Sequence, residues 1–159
     1  MHFERINKWL TLLANIGVLI GIVFLVVEVR QSNRIAIATT EISVRDQYRS
    51  HNELVLANDA IAELLVKAAD ADAEFSAVET EKLYAFLYGY INTWKSIEIA
   101  YENGMLPRAT LDVVLDDVRI VLRDYPAIRP VARDWIASYQ SEADSNLYGA
   151  IRDELESID

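Results

Sequence analysis

The chain contains no cysteine. That excludes a disulfide framework, thiolate metal sites and cysteine nucleophiles. It leaves the compartment open, because reducing and oxidising surroundings both accept Cys-free chains. Glycine and proline are scarce as well, with five and three among 159 residues. Little turn-forming material is therefore available, which favours long helices over many short strands. Histidine occurs twice, at His2 and His51, and no Glu-x-x-His pair points to a di-iron bundle. Gly-rich phosphate loops, nucleophile elbows and dinucleotide fingerprints are also missing. The expectation is that the chain is not an enzyme, with no catalytic residue, no metal ligand and no cofactor to name.

Basic charge is thin beyond the N-terminus. Three of the 15 Lys and Arg and two of the 25 Asp and Glu precede Gln31, leaving 12 basic against 23 acidic residues. Such a surface repels nucleic acid, whose binding rests on phosphate neutralisation. It is equally held off anionic head groups. Nucleic acid is not an expected partner.

What the chain does have is one long apolar run. Trp9 to Val27 carries no charge and only Thr11 and Asn15 as polar interruptions. Nineteen residues at ~1.5 Å each span roughly 28 Å, the thickness of a bilayer's hydrocarbon core. A cleaved leader is the rival reading, with Ala36-Ile37-Ala38 as its small-residue site. The apolar region is too long for one, and Glu28, Arg30 and Arg34 intervene before that site. The expected organisation is a transmembrane anchor over 1–30, a helical stalk over 31–57 and an acidic helical bundle over 58–159. Arg5 and Lys8 precede the span, while Arg30, Arg34, Arg45 and Arg49 follow it. That bias puts the C-terminal domain in the cytoplasm.

Within the span, Gly17 and Gly21 form a small-xxx-small pattern that lets helix backbones approach closely, and Asn15 can hydrogen-bond across such a contact. These three are the candidate membrane-helix interface, although glycine is frequent in membrane helices in any case. Glu28 sits at the membrane edge, where an ionised carboxylate facing lipid is costly. Glu28, Arg30 and Arg34 are accordingly candidate juxtamembrane polar contacts, with a snorkelling interfacial charge as the plainer alternative.

Beyond the span the pattern stays helical. Ile37, Val44, Tyr48, His51 and Val55 make an amphipathic stripe, on which His51 reads as an interface histidine. Asn58-Asp59 offers an N-cap for a short helix from Ala60 to about Ala69. Ser76-Ala77-Val78-Glu79 is a capping box, opening a helix to Asn103 that Gly104 closes in the left-handed region. Its core face is Leu83, Phe86, Leu87, Tyr90, Ile91, Trp94, Ile97 and Tyr101. Glu98 borders that face and is expected to be buried against an Arg or a Tyr. The one-turn acidic pairs Glu98/Glu102 and Asp112/Asp116 otherwise read as solvated faces. Pro107 suits the first turn of a fourth helix ending near Asp124, Pro130 opens a fifth, and Ser145 caps a sixth. The predicted fold class is all-α, with about six helices in total.

Two blocks carry a resemblance. The run Gly17-Val18-Leu19-Ile20-Gly21-Ile22-Val23-Phe24-Leu25-Val26-Val27-Glu28-Val29-Arg30-Gln31-Ser32-Asn33-Arg34 resembles a family of bacterial single-pass membrane proteins without an assigned activity. That family's hallmark is a Gly-containing span ending in Glu-[Ile/Val]-Arg-Gln, then Asn and Arg. The stretch from Trp94 to Tyr101-Glu102-Asn103-Gly104-Met105-Leu106 is similar to its second block, an aromatic helix closing on Tyr-x-x-Gly-x-Leu. Ser32 departs from the more usual direct Gln-Asn. The resemblance implies an anchor plus a helical domain, and the expected location is the inner membrane. The expected function is a self-associating scaffold or accessory protein with the bilayer, further copies of itself and another protein as partners. A small homo-oligomeric pore, with Asn15 and Glu28 lining it, is the alternative.

Overall fold

The computed structural model describes residues 3–158 in full, together with the backbone of His2. Among the described residues the secondary structure is helical throughout, as the scarcity of turn formers demands. Six α-helices follow in order: α1 (His2–Leu56), α2 (Asp59–Ala68), α3 (Ala77–Glu102), α4 (Arg108–Asp124), α5 (Arg129–Ser138) and α6 (Asn146–Ile158). Single 3-10 turns at Pro126–Ile128 and Gln140–Glu142 lie on either side of α5. The chain divides between Thr39 and Thr40 into two compact units.

The first unit is α1 up to Thr39. Its apolar stretch contains an 18-residue window with a mean hydropathy of 2.7, none of it buried. By length and composition it is the one candidate membrane span among the described residues.

The second unit holds α2 to α6 and also residues 40–56 of α1, the larger part of the segment expected as a stalk. Val44 and Tyr48 of that segment pack against the core of this unit. Helix α3 supplies the largest share of the core, with Leu83, Leu87, Ile91, Trp94 and Ile97 buried along one face. Val114, Val118 and Leu122 of α4, Trp135 of α5, and Leu147 and Ile151 of α6 close around it. The apolar positions recur at three- and four-residue spacing, so each helix turns one stripe inward.

The helix ends follow local chemistry. The Ser76 hydroxyl accepts from the Glu79 N–H at 3.3 Å, and the Ser76 N–H donates to the Glu79 carboxylate at 2.8 Å, completing the capping box. At the far end of α3, Gly104 adopts φ +71°. Its N–H donates to the Tyr101 carbonyl, and the Met105 N–H reaches back to the Ala100 carbonyl at 2.8 Å. That pair of bonds is a Schellman closure, which satisfies the last carbonyls of the helix. Ser145 caps α6 by accepting from the Tyr148 N–H at 3.0 Å. Asn58 precedes α2 in extended backbone but makes no side-chain cap; its carbonyl accepts from Ile61 and Ala62 instead. Pro107 stands one position before α4 rather than inside its first turn, with ψ 155°. A proline ring fixes φ at a value both helix and extended chain accept, so the register there depends on neighbours.

Candidate functional site

Asn15, Gly17, Gly21, Glu28, Arg30 and Arg34 are all exposed on α1. A Cβ built on Gly17 or Gly21 meets no atom within 4 Å. Among the described residues the structure brings none of these six against another element, and they do not share one face of α1: Gly17, Gly21 and Glu28 fall on one side, Asn15, Arg30 and Arg34 on the other.

The side chains that do converge lie in the second unit, in two places. The first is the seam where α1 lies on α3 and α4. The Tyr48 hydroxyl donates to Asp117 on α4 at 2.8 Å. Burial first, and then that hydrogen bond, push the phenol well above its ordinary range. One turn later, His51 stacks on Tyr90 with ring centroids 4.5 Å apart. Its Nε2 lies 3.1 Å from the Thr93 hydroxyl oxygen, and that hydroxyl donates to the Gly89 carbonyl at 3.0 Å. The Thr93 hydroxyl thus links the His51 ring to the backbone of α3. The ring fits because residue 89 has no side chain: a Cβ at Gly89 would stand 2.8 Å from His51 Cε1. His51 is thus the satisfied interface histidine its stripe implies.

The second convergence is Glu98. Its side chain is fully buried. One carboxylate oxygen accepts from the Asn146 N–H at 2.6 Å, the Asn146 side-chain amide at 3.2 Å and the Leu147 N–H at 3.2 Å. Those backbone groups are the first two of α6, so the carboxylate satisfies orphan donors and faces the positive end of a helix dipole. The other oxygen lies 3.6 Å from the Lys95 ammonium, which also bonds Glu142. Burial pushes the Lys95 ammonium down, and the bond to Glu142 with the nearby Glu98 charge outweighs it, so its pKa is raised. The expected Arg or Tyr partner is replaced by Lys95 and a helix terminus. A buried carboxylate needs several donors at once, and a helix start presents adjacent free N–H groups. Through that oxygen Glu98 joins α3 to α6, and its other oxygen is buried without a hydrogen-bond partner among the described residues.

Asp112 and Asp116 are exposed and pair on their own helix with Arg108 and Arg119, both at 2.8 Å. Sequence reasoning missed Gly89, Thr93, Asp117 and Asn146. Only Gly89 carried a signal, since a glycine inside a helical pattern costs about 1 kcal/mol against alanine and usually marks close packing. Comparison with protein-family models, with curated proteins and with solved structures finds no match.

Proposed function

We propose that the chain is a single-pass protein of the bacterial inner membrane, anchored by α1, self-associating through the span, and carrying a cytoplasmic helical domain that serves as a scaffold or accessory module for another protein. The observation that carries this reading is the unburied apolar stretch of α1. An isolated apolar helix exposed to water over some twenty residues is unstable in solution, whereas a bilayer covers it and its backbone bonds are already satisfied internally. Four arginines following the span against two basic residues before it support the cytoplasmic placement. Open space around Gly17 and Gly21 leaves room for the close approach of a second helix.

The full chain purified in a mild detergent tests the reading. Sedimentation with detergent-corrected mass is expected to give more than one copy per particle, and Gly21→Ile is expected to reduce that number. A particle of one copy in the wild type removes self-association. Solubility of the chain without detergent, in the wash fraction after alkaline carbonate treatment, removes the anchor itself. An active periplasmic reporter fused after Asp159 reverses the orientation.

A further inference from the structure

A cavity of about 430 Å³ opens between the bundle-bound part of α1, Ile97 of α3 and the start of α4. Its volume lies in the range of small-ligand sites, which are concave and mostly apolar with a few placed polar groups. The accessible apolar lining is the half-buried Val44 and the exposed Val113, with Leu106 beside them, while Ile97 and Val114 are closed to solvent. Polar groups gather on the α1 side, where Glu41, Arg45 and Tyr48 line the cavity. The Tyr48 hydroxyl is already committed to Asp117. Other basic side chains of this unit, such as Lys67, Lys95 and Arg119, are held by carboxylates, as Arg49 is one turn along. Arg45 forms no ion pair or hydrogen bond with another described residue. An uncommitted guanidinium beside an aliphatic lining is the arrangement that receives a chain with an anionic head, because the planar fork matches a carboxylate or phosphate.

We propose that this cavity binds a single-chain amphiphile with a monoanionic head group, its aliphatic chain on Val44, Leu106 and Val113 and its head on Arg45. Glu41 sets the charge of that head. It sits one helical turn before Arg45 and also lines the cavity, so a second negative charge is repelled and a dianionic monoester is disfavoured. The same head chemistry reaches the protein from two sources, a free long-chain carboxylate or a lysophospholipid with a phosphodiester head.

Photolabelling of the full chain in phosphatidylcholine nanodiscs tests the assignment. The probes are a diazirine-bearing palmitate, the matching lysophosphatidylglycerol and the uncharged hexadecanol, with labelled peptides mapped by mass spectrometry. Labelling of residues 106–114 by at least one anionic probe, about fivefold above hexadecanol, is the expected result. The stronger anionic probe identifies the source. Arg45→Gln is expected to erase that excess, whereas Arg49→Gln, outside the cavity, leaves it in place. Ala109→Trp fills an exposed position on the cavity wall and is expected to abolish labelling while the helical circular dichroism spectrum is retained. Equal labelling by hexadecanol, or an excess that survives Arg45→Gln, overturns the anionic head. Labelling that is confined to the 9–27 stretch, or unaltered by Ala109→Trp, overturns the site.

Discussion

The two units treat the same residue types in opposite ways. Before Thr40 the large apolar side chains stand outward, with Trp9 at 62% and Phe24 at 69% of full exposure. After it Trp94 and Ile97 are at 0%. The presence of Val, Ile and Leu does not separate them, since both regions hold many of these residues. Periodicity does. From Trp9 to Val27 apolar residues occupy every side of the helix, so no single neighbouring element can cover them. In α3 the buried apolar residues Leu83, Leu87, Ile91, Trp94 and Ile97 share one stripe, and Val78 and Ile99 stand outward. The bundle provides its own apolar surroundings, and the first unit takes them from whatever encloses it.

That contrast is broken most decisively by matched truncations. Trp94→Ala is expected to lower the unfolding free energy of the bundle by about 3–5 kcal/mol. Phe24→Ala is expected to leave it unchanged. Denaturant unfolding of the full chain in mild detergent, followed by circular dichroism, measures both. If Phe24→Ala shifts the transition as Trp94→Ala does, the apolar stretch belongs to the folding core after all.

A smaller effect sharpens the same contrast among charges. Glu98→Gln keeps the shape but removes the charge from a buried site facing Lys95 and two helix-start donors, and is expected to cost roughly 2–4 kcal/mol. Asp112→Asn, in an exposed pair, is expected to change stability by less than about 1 kcal/mol. Equal effects from the two would mean that burial does not decide what a carboxylate contributes.

The smallest effect is a pH dependence. The hydrogen bond from Lys67, followed by the backbone bond from Ser76, lowers the pKa of Glu79 from 4.5 to about 2. A folded-state value below the unfolded one means stability that is present above pH 4.5 and lost as pH falls toward 2. Wild type is therefore expected to lose more melting temperature between pH 5 and pH 2.5 than Glu79→Gln does. Parallel losses would show that the capping box adds nothing titratable.

The helix boundaries that were legible in the sequence are those set by neighbours along the chain. Ser76 and Glu79 are three residues apart, Gly104 follows the last turn of α3, and Ser145 precedes α6. Each of these motifs closes on groups within one turn of itself, so its spacing carries the geometry. The links between helices were legible only as suspicions. The stripe through Tyr48 and His51 marked an inward face without naming Asp117, Thr93 or Gly89 as what it meets. Glu98 and Asn146 are 48 residues apart, and nothing in the spacing of either announces the other. Long-range partners depend on how α3 and α6 cross, which is settled by the summed packing of their apolar stripes. The candidate span was plain because its signal is composition and length, whereas Asn15, Gly17 and Gly21 acquire a neighbour only if a second molecule supplies one.

The empty place at Gly89 acts as an indexing notch for residues 40–56 of α1. A helix turns by about 100° for every residue it slides, so a slip of one position would carry His51 a quarter-turn away and bring a different side chain to the notch. Position 50 is Ser and position 52 is Asn; neither has a ring to lie on Tyr90 as His51 does. The Tyr48–Asp117 bond on an adjoining turn would be lost by the same slip. Two keyed contacts close together therefore define a single phase for residues 40–56 within the second unit, and greasy packing by Val44 alone would permit several.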